Sequence, residues 1–168
     1  NASLLGMIIV GKLTAAAFSR ADISDMEKRR DFYLYMDEFQ NFSTPSISTI
    51  LSEARKYRLC MIAAHQFIAQ LKEPIKNAIF GNVGSLVAFR VGADDAEFLE
   101  KQFEPPFSSH DLMNIDNLNA HVKVLVNNQV YPAFNMFVPF PPRGSDEMME
   151  RIKELSRLKY GREREEVE

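Results

Sequence analysis

A chain of 168 residues that is 46% apolar and 26% charged, with 13 Phe and no Trp, has the composition of one globular domain, able to bury about 70% of the surface its unfolded form exposes. A formal net charge of −3 gives no global attraction to nucleic acid or an anionic membrane, so any DNA contact has to be local. The lone Cys60 excludes an internal disulfide and fits a reducing compartment; no apolar run approaches the ~20 residues of a membrane span, and nothing resembles a signal peptide.

In chain order, residues 2–18 (ASLLGMIIVGKLTAAAF) predict a helix apolar on most faces and largely buried. Because Asn1 is no initiator Met and a helix starts at once, the chain is expected to be cut from something longer. Residues 19–31 are a polar linker of mixed charge. FYLYM (32–36) is a short continuous apolar run, the pattern of a strand covered on both faces. Thr44 followed by Pro45 predicts an N-cap and a first-turn proline, and Ile47, Ile50, Leu51 and Ala54 continue a helix over about 45–57. LCMIAA (59–64) predicts a second buried strand, Pro74 opens a short helix that Gly81 can close, and SLVAFRV (85–91) predicts a third strand. ADDAEFLEKQF (93–103) has the spacing of an amphipathic helix. Apolar alternation on both sides of Asn127-Asn128 predicts a hairpin, with Pro132 demoting its second half to an edge. PFPPRG separates a tail from residue 145 onward, where Met148, Ile152 and Leu155 make one apolar stripe among charges of both signs.

Strands alternating with helices predict an α/β fold with a mainly parallel sheet, and ligands of such sheets sit at the carboxyl ends of strands. Two polar pairs fall there: Asp37 and Glu38 after the first strand, His65 and Gln66 after the second. A carboxylate at such a position can hold Mg²⁺, directly or through water, beside nucleotide phosphates, and its neighbour can polarise an attacking water. An apolar run ending in Asp-Glu is by itself a weak signal, because acids also end strands at solvent or cap the next helix. Gln66 adds to it: a neutral amide on the adjoining strand can donate to a γ-phosphate or orient the water. Arg55, near the end of the intervening helix, can reach a phosphate across a subunit boundary. It equally suits a helix C-terminus.

DFYLYMDEFQNF (31–42), ILSEARKYRLCMIAAHQFIAQL (50–71) and FGNVGSLVAFRVGADDAEFLEKQF (80–103) together resemble the second half of the motor domain of conjugative coupling proteins. These are the TraG/TraD-like type IV secretion ATPases of the HerA/FtsK superfamily. The resemblance runs over about residues 3–140. It implies the C-terminal half of a RecA-like P-loop NTPase core over residues 1–140, with the phosphate-loop (Walker A) half missing, followed by a Pro-rich linker and charged helix over 141–168. It further implies ATP and Mg²⁺ as cofactors, with Asp37 and Glu38 as Walker B acids, Asp37 reaching the metal through water. Gln66 would be the sensor that contacts the nucleotide, and Arg55 the trans-acting finger with Arg58 as fallback. His65 stands where a small or hydroxyl residue is expected and is given no role. The partners implied are DNA, a homo-oligomeric and hexameric ring, and relaxosome and secretion-channel proteins. The location implied is the cytoplasm, at the cytoplasmic face of the inner membrane. A HerA-type repair translocase and a non-catalytic RecA-like adaptor are the alternatives.

Gly6-Met-Ile-Ile-Val-Gly11-Lys12-Leu13-Thr14 nearly matches G-x-x-x-x-G-K-[ST] but has Leu13 where the Mg²⁺-binding hydroxyl belongs. Its inner residues are bulky and no strand precedes it, so Lys12 reads as a helix-surface lysine. Without a phosphate loop the chain alone is expected not to hydrolyse ATP. The basic clusters EKRR (27–30) and ARKYR (54–58) read as solvated edges, and His110 and His121 lack metal-ligand spacing.

Overall fold

The computed structural model describes residues 2–42 and 45–162, so the N-cap expected at Thr44 lies outside the described residues. The chain divides into two compact units, Asn1–Phe137 and Val138–Glu168.

The first unit begins with helix α1 (Ala2–Phe18), followed by short 3₁₀ turns and strand β1 (Phe32–Met36). Helix α2 (Pro45–Glu53) tightens into a 3₁₀ turn, Ala54–Tyr57, and Arg58 ends it with a left-handed φ of 55°. Strand β2 (Leu59–Ala63) then lies parallel to β1, pairing Phe32 with Leu59 through to Met36 with Ala63. Helix α3 (Glu73–Asn82), with Pro74 in its first turn, leads to the three-residue strand β3 (Leu86–Ala88). After α4 (Ala93–Phe103) comes α5 (Ser109–Met113), opened by a capping box in which Ser108 and Asp111 satisfy each other's backbone N–H groups. The strands β4 (Asn119–Lys123), β5 (Leu125–Val126), β6 (Gln129–Val130) and β7 (Phe134–Phe137) complete the unit. Asn127 and Asn128, both at positive φ, make the β5–β6 hairpin turn that their sequence predicts.

The expectation of a mainly parallel sheet needs correction. Parallel pairing is confined to β1–β2, whereas β3 pairs antiparallel with β4, and β4 with β7. An apolar run carries no strand direction: the α4–α5 connection brings β4 back antiparallel to β3, and the segment holding the β5–β6 hairpin returns β7 antiparallel to β4. Nor is β1 covered on both faces. Phe32, Tyr33 and Tyr35 are exposed, because the apolar run has packing partners on only one side among the described residues.

Two apolar clusters hold the unit. One joins α1 (Val10, Ala17), β1 (Met36), Phe39, α2 (Ile47, Ile50), β2 (Leu59) and α3 (Ile75, Ile79); the other joins Ile68, Ala88, α4 (Ala96, Leu99, Phe103) and α5 (Leu112). Helix α1 was expected to be largely buried, but of its described residues only Val10, Thr14 and Ala17 are buried, while Leu4, Leu5, Ile8 and Ile9 stay exposed. With the following turn, Ser3–Asp22 is long and apolar enough to cross a membrane by length and composition, although Lys12 interrupts its apolar run. Gly6 has a packing role. A Cβ there would meet the Phe42 ring at 2.3 Å.

In the second unit α6 (Asp146–Tyr160) is capped by the Ser145 side chain, which accepts from the Met148 N–H at 3.2 Å, and stapled by a Glu147–Arg151 ion pair. Met148, Ile152 and Leu155 lie exposed along it.

Phe103 is fully buried in the second cluster. Phe103→Ala should cost about 3–5 kcal/mol through lost transfer energy and the cavity left behind, read as a lower urea midpoint for this chain.

Candidate functional site at the ends of the parallel strands

The register of β1 on β2 decides which side chains meet. Met36 lies opposite Ala63, so the chain leaves both strands at the same level. The exit is pinned by two further backbone bonds, Ala64 N–H to Met36 O at 2.9 Å and Phe39 N–H to Ala64 O at 3.2 Å. Between them Glu38 turns into the left-handed region at φ 48°. That conformation costs a non-glycine residue about 1–2 kcal/mol. The Asp37 Oδ1 accepts the Glu38 N–H at 2.9 Å, and the Glu38 carbonyl accepts the Asn41 N–H at 3.0 Å, which opens the 3₁₀ turn Phe39–Phe42. Phe39 is buried beneath this turn and meets His65 edge-on, ring centroids 5.2 Å apart.

This turn aims the Glu38 carboxylate at two amides. Gln66 Nε2 donates to Oε1 at 2.7 Å, and Gln40 Nε2 donates to Oε2 at 2.6 Å. Each carboxylate oxygen has a second lone pair, so Glu38 is oriented by both neighbours and can still accept from a further donor. Asp37 is exposed, and its Oδ2 has no hydrogen-bond partner among the described residues. Asp37, Glu38 and Gln66 therefore come together at the strand ends. Gln66 too is exposed, so the apolar strand does not shut the site away from water in this chain.

Arg55 is elsewhere. Its Nη2 donates to Asn128 Oδ1 at the hairpin turn, 2.9 Å away, rather than reaching the carboxylates. Arg58 is spent on local acids, Glu27 at 2.9 Å and Asp31 at 3.3 Å. Arg29 of the first basic cluster donates to the Ile23 carbonyl, and Arg20, outside both clusters, donates to that of Tyr57. Lys12 is exposed in the middle of α1, and no loop surrounds it.

Gln40 was not singled out from the sequence. Its only signal was its place two residues after Glu38, where a turn brings the chain back. Among the described residues no three His, Cys, Asp or Glu side chains gather into a cage for a metal. Mg²⁺ beside phosphates needs no such cage: it keeps several waters and takes one or two carboxylates, which suits a single open Asp37.

Burial pushes the His65 imidazole below its ordinary value, although Asp95 and Glu38 partly oppose this. His121, stacked on Phe107 at 3.6 Å, is lowered by burial as well.

Residues 31–102 match the family described as the TraM recognition site of TraD and TraG. Among solved structures, the unbound monoclinic form of the bacterial conjugative coupling protein TrwBdeltaN70 superposes with a TM-score of 0.59 at 18% identity, covering 76% of this chain and 35% of that one. The plasmid coupling protein TrwB in complex with ADP and Mg²⁺ gives 0.59 at 18% identity, with 73% and 34% covered. This chain thus spans about a third of the length of the structures it matches, and the likeness is one of fold. No curated protein sequence matches it.

Two histidines held below their unfolded value of 6.5 bind fewer protons in the folded than in the unfolded state. Stability should be unaffected above pH 6.5 by either group and fall as pH drops below it. Chemical-denaturation midpoints taken from pH 7.5 to 5 should show this slope, and the double variant His65→Asn with His121→Asn should flatten it.

Proposed function

From a chain that is TraG/TraD-like over residues 31–102, we propose that it supplies the Walker B half of the nucleotide site in an ATP-hydrolysing, ring-forming DNA translocase related to conjugative coupling proteins. The observation that carries this reading is the Glu38 carboxylate, fixed by Gln40 and Gln66 in a strained turn at the carboxyl end of a parallel strand pair.

In this reading ATP·Mg²⁺, when bound, supplies the phosphoryl group and the charge compensation for its transfer. Asp37, by its open oxygen, would hold the Mg²⁺ through water. Glu38 accepts a hydrogen bond from the attacking water and takes up its proton or aligns it. Gln66 donates either to Glu38 or to the terminal phosphate, so its amide reports whether nucleotide is present. Arg55 serves a neighbour's site. It is preferred to Arg58 because a hydrogen bond to a neutral amide is easily exchanged for a phosphate, whereas Arg58 would have to leave two carboxylates. A head-to-tail ring of copies provides that neighbour, and DNA in its centre is the substrate moved.

The family's description favours a second activity in the same segment: docking of a TraM-like relaxosome protein on residues 31–102. That role is compatible with hydrolysis. A purely non-catalytic adaptor has no need of a carboxylate oriented by two amides at the strand ends.

In the full-length protein, Glu38→Gln should lower ATP turnover by ~10²-fold or more while nucleotide binding persists. Turnover near the wild-type rate would overturn the assignment.

Arg55→Ala should abolish hydrolysis by ~10³-fold or more. Because the arginine is assigned to a neighbour, rings mixed from Arg55→Ala and Glu38→Gln subunits should regain turnover, since some interfaces then combine an intact Glu38 with an intact Arg55. No recovery in co-assembled rings would place Arg55 outside a neighbour's site.

A further inference from the structure

Gln66 is presented from a stretch with little support of its own. Ala64 is held by the strand-end bonds to Met36 and Phe39, but neither His65 nor Gln66 takes part in a backbone–backbone hydrogen bond. Phe67 is extended and 52% exposed, so its ring does not anchor the segment. The His65 ring meets Phe39 on one side of Gln66; on the other side the segment is held at Ile68, whose side chain enters the second apolar cluster and whose N–H donates to Asp95 Oδ2 at 3.1 Å.

Asp95 belongs to another element. It lies in the first turn of α4, where a carboxylate is favoured by the helix dipole, yet it is only 8% exposed and makes no ion pair among the described residues. A buried carboxylate without a cation is costly unless its hydrogen bonds are needed. The first turn of α4 would be served as well by an exposed acid, and Asp94 beside it is one. What Asp95 alone does is reach across to the Ile68 backbone.

We infer that Asp95 is a positioning residue for the hydrolytic site: by holding the Ile68 N–H it fixes the 64–68 segment so that the Gln66 amide meets the Glu38 carboxylate. This inference rests on the role proposed for Glu38 and Gln66, and extends that site to the first turn of α4. The chain of contacts runs Asp95 Oδ2, Ile68 N–H, then two residues of backbone to Gln66 Nε2, and Glu38 Oε1. His65 sits within the same segment, and Asp95 and Glu38 both act on its imidazole electrostatically.

The test uses the full-length protein. Asp95→Ser keeps a residue suited to a helix start but is too short to reach Ile68, whereas Asp95→Asn keeps an acceptor oxygen at the same reach. Asp95→Ser should lower kcat about tenfold or more with KM for ATP little changed, as expected for a misplaced group. Asp95→Asn should restore most of the rate. Adding Asp95→Ser to Gln66→Ala should cause no further loss, because both act through one contact. Wild-type turnover in Asp95→Ser, a loss additive with Gln66→Ala, or a loss that only tracks the folded fraction by circular dichroism would each overturn the inference. Glu38→Gln, run in parallel, separates the two failures: full activity there removes the site itself, whereas its inactivity beside a normal Asp95→Ser removes only the positioning role.

Discussion

The register between two short parallel strands governs the candidate site. With Met36 opposite Ala63, the chain exits both strands together, and Glu38 and Gln66 face each other two and three residues later. A shift of one residue would turn every side chain of one strand to the other face and separate the pair. The packing of α2 and α3 on these strands therefore matters beyond stability. Ile47, Ile50, Ile75 and Ile79 share a cluster with Met36 and Leu59, so the same apolar contacts that hold the strands together set where the two polar groups emerge.

Much of this was legible because local chemistry and tertiary packing agree. FYLYM and LCMIAA form strands, ADDAEFLEKQF forms a helix over the residues its spacing indicates, and Asn127-Asn128 turns at positive φ as paired asparagines can. The sheet arrangement was less legible, since apolar runs give no orientation: β3 pairs with β4 rather than extending the β1–β2 pair. Exposure was misread for a related reason. A run such as FYLYM records what a strand can bury, not what is present to cover it, and here Tyr33 and Tyr35 face outward. The short helix α5 escaped notice because its signal is a capping box, Ser108 with Asp111, without the repeat of apolar positions that a longer helix provides.

The meeting of Asp37, Glu38 and Gln66 at the strand ends was legible, and the groups that hold them there were not. Asp37, Glu38 and Gln66 stand at strand ends, where residue type and position both carry meaning. Gln40 folds back over two residues to Glu38, and Asp95 reaches the Ile68 N–H from 27 positions away in sequence. No pattern along the chain marks either. The near phosphate loop shows the opposite error, a pattern without geometry. Gly6 is explained by the Phe42 ring against α1, and Lys12 by an exposed helical position.

The identity of the groups around Glu38 carries a last step of argument. Both direct partners are neutral amides, and the nearest titratable ring, His65, is held toward its neutral form by burial. A Lys or Arg in either place would orient the carboxylate equally well but would pair with its charge and compete with an approaching water or metal-bound ligand. Amides fix direction while leaving the charge uncompensated. The two arginines of the neighbouring segment follow the same division: Arg58 is consumed by Glu27 and Asp31, whereas Arg55 rests on an amide oxygen of Asn128. The Glu38 carboxylate and the Arg55 guanidinium are thus apart within this chain, which is compatible with the proposal that Arg55 serves a neighbour's site.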